Sequence, residues 1–288
     1  MSMFDKFENQ TLIRATLEIK TALSVGSRPS LEPTETDLPV VKGPDGMPFI
    51  PGSSIKGVVR SLAERILRTW NRRPDFWACD PFDAPCVPKR SRDGRIGKEE
   101  LWRDAEERER HGEGPADAIF SEEVWKRSCT ACRLFGSPWF AGRVAFKDAF
   151  LQNGDDLPVV TQIRDGVGID RDLGAARTGA KYDFEVVVPG ARFGLEILAE
   201  NVDDWELGFL ITLLRLWEEG NLALGGKVTR GPGWGKLHEI KLYRVDRENL
   251  LHYLIQAKRT ERDVSDFVRA FQEYAGKVLR ENGREQDA

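Results

Sequence analysis

The hydrophobic positions of this 288-residue chain change period several times, and each change marks an element. Over residues 11–20, Ile13, Ala15, Leu17 and Ile19 alternate with Arg14, Thr16, Glu18 and Lys20, the period of two of a half-buried strand. Residues 26–46 have no period and are rich in Ser, Pro, Gly and acids. Surface loops of that length are uncommon unless functional or disordered. From Ser53 the spacing turns helical: Ile55, Val58, Val59, Leu62, Ala63, Ile66, Leu67 and Trp70 share one face, with Ser53 or Ser54 as the expected N-cap. Strand character returns over 143–150 and 192–199. Residues 204–219 read as a second amphipathic helix, 237–245 as a closing strand, and Val264 to Leu279 as a docked tail helix.

The order strand, helix, strands, helix, strand predicts an α+β fold. Its form is a ferredoxin-like (RRM-like) βαββαβ core within one domain, residues 1–245. Two irregular stretches, 71–135 and 159–190, read as insertions, and 246–288 as a helical extension. Such a topology hosts many functions and decides none.

Charge sharpens the picture. With 43 Lys+Arg against 47 Asp+Glu and a net charge of -4, a wholesale polycation is excluded. The cations are unevenly placed, however. Within 53–73, Lys56, Arg60, Arg65, Arg68, Arg72 and Arg73 oppose Glu64 alone, and 225–247 carries six cations against Glu239 and Asp246. Two local excesses in a near-neutral chain point to an anionic partner. The hydroxyls and free N–H groups at the start of the first helix, with Lys56 and Arg60 one turn apart, suit anions. In the glycine-rich loop, Lys227 and Arg230 sit among glycines, Gly231 included, that let a phosphate approach the main chain. It is no P-loop, because Gly235-Lys236 is followed by Leu237. No apolar run is long enough to span a bilayer and the first residues lack a signal peptide's core, so a cytoplasmic protein without membrane association is expected.

The four cysteines are Cys79, Cys86, Cys129 and Cys132. The close pair Cys129/Cys132 can supply two tetrahedral thiolates, and Cys79/Cys86 would complete a structural Zn²⁺ site that staples the first insertion to the core. The wider Cys79–Cys86 spacing leaves His111 as a substitute ligand and ordinary buried thiols as the plain alternative.

Four segments together carry a resemblance. They are Asp37-Leu38-Pro39-Val40 with Pro48-Phe49-Ile50-Pro51-Gly52-Ser53-Ser54-Ile55-Lys56-Gly57-Val58-Val59-Arg60; Cys132-Arg133-Leu134-Phe135-Gly136-Ser137 with Gly142-Arg143-Val144-Ala145-Phe146-Lys147-Asp148-Ala149; Gly168-Ile169-Asp170-Arg171 with Tyr182-Asp183-Phe184-Glu185 and Val188-Pro189-Gly190; and Leu224-Gly225-Gly226-Lys227 with Arg230-Gly231-Pro232-Gly233-Trp234-Gly235. In this order, over most of residues 12–245, they resemble the RAMP superfamily of CRISPR-associated proteins, nearest the backbone subunits of type III (Csm/Cmr-like) effector complexes.

The resemblance implies a subunit that binds guide RNA, assembles with other RAMP subunits and cleaves complementary target RNA. It implies that Ser53, Ser54, Lys56 and Arg60 line the guide channel and that Lys227, Arg230 and Gly231 hold RNA. Ile169 and Arg171 would tip a β-hairpin thumb that wedges into the guide–target duplex. Asp37 would be the residue needed for cutting, either holding Mg²⁺ or another divalent metal or orienting the attacking 2′-hydroxyl; Glu32 and Glu35 are the rival acids for the matching position. A non-catalytic scaffold or capping subunit of the same assembly is the alternative. A guide-processing endonuclease is a third reading, resting on a histidine among His111, His238 and His252.

Overall fold

The computed structural model describes residues 4–26 and 36–281; Glu32 and Glu35 lie outside them. The elements run β1 (Asn9–Ile19), β2 (Phe49–Ile50), α1 (Gly52–Trp70), α2 (Lys98–Arg110), α3 (Ala116–Arg127), α4 (Thr130–Phe135), β3 (Val144–Phe146), β4 (Ala149–Phe150), β5 (Thr161–Ile169), β6 (Ala176–Val187), β7 (Arg192–Glu200), α5 (Asp204–Glu218), β8 (Gly235–Asp246), α6 (Leu250–Gln256), β9 (Thr260–Arg262) and α7 (Val264–Glu281). The mixed α+β class is the one the periodicity implies.

Five strands form an antiparallel sheet in the order β3-β7-β1-β8-β9. The alternation in β1 has its expected cause: Ile13, Leu17 and Ile19 point into the core while Arg14 stays exposed. Ile55, Val59, Leu62 and Leu67 of α1 and Leu207, Leu210, Ile211 and Leu214 of α5 share one core with Ile13, Leu17, Phe193, Ile197, Leu237 and Leu242. Helices therefore cover one face of the sheet. The other face is polar, with Arg14 and Lys147 both paired to Glu196.

The structure corrects several expectations. The strand expected over 143–150 divides into β3, which joins the main sheet, and β4, which pairs with β2. Asp148 breaks it: its Oδ1 accepts from the Gly52 N–H at 2.7 Å, so the carboxylate meets the first turn of α1. The helix cap is Pro51, with Ser53 and Ser54 inside the first turn. Residues 116–135, read only as insertion, form α3 and α4. The tail is not helix alone, since β9 adds a fifth strand along β8 and α7 packs on α5 through Phe267 and Phe271.

Asp148 supplies a modest, checkable energy. Asp148→Ala removes an anion and an acceptor from a helix N-terminus and should cost about 1 kcal/mol. Urea denaturation should show a lower midpoint with an unchanged slope.

Candidate nucleic-acid interface and metal centre

The long loop re-enters at Thr36 and is laid along β6. Leu38 bridges Phe184 in parallel fashion, and the Glu185 N–H donates to the Leu38 carbonyl at 3.0 Å. Asp37 and Asp183 bind each other reciprocally: the Asp37 N–H donates to Asp183 Oδ1 at 2.8 Å, and the Asp183 N–H donates to Asp37 Oδ2 at 3.1 Å. Two residues on, the buried Glu185 carboxylate accepts from the Val40 N–H at 3.1 Å and from Lys42 Nζ at 2.6 Å. Burial works against that carboxylate, but the Lys42 contact, helped by Thr161 and the Val40 amide, holds it below the usual carboxylate range.

Strand alternation sends Tyr182 and Phe184 to the opposite side of β6. There they meet the glycine-rich loop. Lys227 Nζ lies 4.4 Å from the Phe184 ring centroid, and Arg230 Nη1 donates to the Tyr182 hydroxyl at 2.6 Å. The loop fits because Gly225 and Gly233 have positive φ, +84° and +100°, and a Cβ on either would sit 2.4 Å from a carbonyl oxygen, of Ser24 and Leu224 respectively. Gly231 is exposed beside Arg230. Asp37, Lys227 and Arg230, 190 or more residues apart in sequence for the first and the others, are thus gathered on four residues, 182–185.

β5 and β6 form a two-stranded antiparallel hairpin, with Asp165 opposite Asp183. At about 3.4 Å per residue, Ile169 lies roughly 14 Å beyond Asp165. Ile169 and Arg171 are exposed at the tip, where Asp170 Oδ1 accepts the N–H groups of Asp172 and Leu173. Ile163, Val167, Ile169 and Leu173 leave the hairpin with an exposed apolar surface.

Ser53, Ser54, Lys56 and Arg60 form a separate group on α1. Ser53 is exposed and Ser54 half-buried. Burial, with the Arg60 charge beside it, holds the Lys56 ammonium below its ordinary value, so an anion there would relieve an existing penalty. Arg60 is already engaged: it donates to Glu64 Oε1 at 2.7 Å and to the Gly136 carbonyl at 3.1 Å. Arg68 donates to the same carboxylate and to the Cys79 carbonyl at 2.6 Å. A count of charges along the helix could not show that Glu64 is buried between two of its arginines. Lys56, Gly57, Arg60 and Ser61 line a groove of about 810 Å³, with Phe82 and Trp139 among its other lining residues.

The four cysteines converge. Their sulfurs all lie within 4.8 Å of one another, with Cys79 and Cys132 Sγ 3.6 Å apart. Cys129 stands at the N-cap of α4, its sulfur accepting the Cys132 N–H at 3.4 Å, while Cys86 Sγ accepts the Cys129 N–H at 3.1 Å. The hydrogen bond from Cys132 holds the Cys129 thiol far below the ordinary range; the same contact drives Cys132 up, and Cys129 likewise raises Cys86. Four thiols this close compete for negative charge, which suits a bound cation. Tetrahedral Zn–S bonds of about 2.3 Å require sulfurs about 3.8 Å apart, so the donor set fits that ion. His111 is not needed, since it ends α2 in an exposed position. Of the other histidines, His238 pairs with Glu18 at 2.9 Å on the polar face of the sheet, and His252 is exposed on α6.

The sequence motif that contains Asp183 and Glu185 gives neither a role. The alternation of Tyr182-Asp183-Phe184-Glu185 was the available signal, because one strand edge with two acids and two rings can serve two neighbours at once.

A model of the RAMP superfamily matches residues 16–236. The CRISPR system Cms endoribonuclease Csm3 of Methanocaldococcus jannaschii is 26% identical over 256 residues, covering 84% of each chain. Among the described residues, no helix is long and apolar enough to cross a membrane.

Proposed function

Because the chain belongs to the RAMP superfamily, we propose that it is a guide-RNA-binding backbone subunit of a type III CRISPR effector complex in which Asp37 cleaves the complementary target RNA. One observation carries this reading: a loop carboxylate and two loop cations are fixed on the same four residues at the base of an exposed hairpin. Cations hold phosphates and set the strand's path; a carboxylate held on the other side of the same strand can act on a 2′-hydroxyl of the RNA they position. In that step the 2′-hydroxyl gives its proton to the Asp37 carboxylate or to water and its oxygen attacks the adjacent phosphorus. The P–O5′ bond breaks and O5′ takes a proton from water, leaving a 2′,3′-cyclic phosphate and a 5′-hydroxyl.

Mg²⁺ is typically held by one or two carboxylates with substrate phosphate oxygens, and the exposed Asp37 carboxylate next to that of Asp183 fits that pattern. When bound, Mg²⁺ would neutralise charge developing on the phosphate. The unit β1-α1-β3-β7-α5-β8 we read as a ferredoxin-like palm, and β5–β6 as the thumb. Ile169 at its apolar tip is suited to part stacked bases, with Arg171 to clamp a phosphate. Ser53, Ser54 and Lys56 supply the guide channel along α1, and Arg60 braces it through Glu64. Cys79, Cys86, Cys129 and Cys132 hold a structural Zn²⁺ that ties the first insertion to α1 and α4. Base pairing supplies sequence specificity, while this chain and its companion RAMP subunits read backbone and A-form shape.

The binding half of the reading has a direct test. Lys227→Glu combined with Arg230→Glu should weaken guide-RNA binding by about 10–100-fold and flatten its salt dependence, because two phosphate contacts are lost. Filter binding across a salt series measures both. Unchanged affinity and slope would remove the loop from the RNA path.

A further inference from the structure

Asp37 sits in a loop, and a carboxylate on a loop reaches its substrate reproducibly only where something fixes the backbone beneath it. Of the bonds along residues 36–42, the two at Asp37 itself are both made with Asp183. The Asp37 N–H donates to Asp183 Oδ1 at 2.8 Å, and Asp37 Oδ2 receives the Asp183 N–H at 3.1 Å. Each residue's carboxylate takes the other's amide, so the pair closes a ring across 146 residues of sequence. The ring fixes both the Asp37 backbone and the orientation of its carboxylate, engaging Oδ2 on a side chain that is otherwise exposed. Asp183 is also a strand residue of the hairpin, paired with Asp165 across β5 and β6. The next anchor along the loop, Glu185, is buried and holds Val40 and Lys42. Register between loop and hairpin is therefore set at Asp183 and Glu185 together, but only Asp183 touches Asp37.

We infer that Asp183 is the positioning residue for Asp37: it acts through its side-chain acceptor, not its charge, and makes cutting depend on the hairpin that carries it. The inference rests on the assignment of Asp37 to target cleavage. Asp183→Ala removes the acceptor for the Asp37 N–H but keeps the backbone N–H. Asp183→Asn keeps an oxygen acceptor in the same place and removes the charge. The two variants separate positioning from a role as metal ligand or base.

The experiment uses the assembled complex with guide RNA, complementary target RNA and Mg²⁺, under single-turnover conditions at saturating target. Asp183→Ala should slow cleavage by about 10–100-fold, the effect of misplacing a reacting group by about an ångström, with target affinity unchanged. Asp183→Asn should restore most of that rate. Wild-type cleavage by Asp183→Ala overturns the inference, and so does an Asp183→Asn variant as slow as the alanine. Asp37→Ala is run alongside. Should it cut normally, the role of Asp37 itself is refuted, and hydrogen exchange of residues 36–42 in the full chain then decides the anchor. Faster exchange in Asp183→Ala, recovered in Asp183→Asn, supports it; exchange unchanged in both overturns it.

Discussion

Asp37→Ala should leave the target RNA bound and uncut. Removing a group that acts on the attacking hydroxyl typically costs 10²–10⁴ in rate, so a loss of at least about 100-fold is expected in single-turnover cleavage. Binding should be spared, because Lys227 and Arg230, the cations proposed to hold phosphate, reach β6 from the other side of the strand and make no bond to Asp37. Asp37→Asn sharpens the test. An asparagine oxygen can still accept the Asp183 N–H, so the loop should keep its place, yet the side chain can neither take a proton nor contribute negative charge toward a cation. Asn and Ala at position 37 should therefore be equally inactive, the reverse of the pattern at Asp183. Gel-resolved cleavage of end-labelled target, with affinity measured in parallel, gives both quantities. Wild-type cutting by both variants would leave a scaffold that binds RNA without cleaving it.

The parts of the fold that the sequence discloses are those decided by neighbours along the chain. β1 is legible because burial alternates residue by residue, and α1, α5 and α7 because each turn repeats its apolar face. What escapes is set by partners far away. Ser53 and Ser54 have the chemistry of an N-cap, but Pro51 takes that position and Asp148, 96 residues on from Gly52, meets the first free amide. The six cations of the α1 segment form an evident cluster; that Glu64 is buried between Arg60 and Arg68 depends on the insertion folding back over the helix. Arg143 and Glu206 make a buried bidentate pair joining the start of β3 to α5, and neither residue stands out in its own segment.

The candidate site divides in the same way. Asp37, the glycine-rich loop and the cysteines are visible as motifs, because unusual residues lie close together in sequence. Their grouping is not visible. It comes from one strand edge, 182–185, whose alternation serves the Asp37 loop on one side and Lys227 and Arg230 on the other. Asp183 carries no compositional mark, and only the register of loop against strand gives it a role.

Cys129→Ser should release the metal and, with it, the order of the first insertion. Cys129 is the best placed of the four proposed ligands: it is fully buried, it heads α4, its sulfur accepts the Cys132 amide, and its own amide supports Cys86. Backbone N–H donors of this kind orient thiolates and stabilise their charge. Removing this sulfur leaves three ligands and a hydroxyl that ionises far less readily, so zinc content measured on the purified chain should fall from one ion per chain to nearly none. Structural zinc is coupled to folding by about 10 kcal/mol or more in small domains. Here the surrounding core is large, with Leu134, Phe135 and Phe76 buried independently of the metal. The loss should therefore be local: protease should enter the loops between Cys79 and Lys98 first, and the melting temperature should drop without abolishing the main transition. Chelator should reproduce both effects on the wild type, and more easily at low pH, where protons compete for the thiolates. Because Arg68 also donates to the Cys79 carbonyl and Arg60 to the Gly136 carbonyl, disorder there reaches the Lys56–Arg60 face of α1, and guide binding should weaken along with it. A wild-type chain free of zinc, with melting indifferent to chelator, would return the cysteines to ordinary buried thiols and leave the RNA-binding and cleavage assignments untouched.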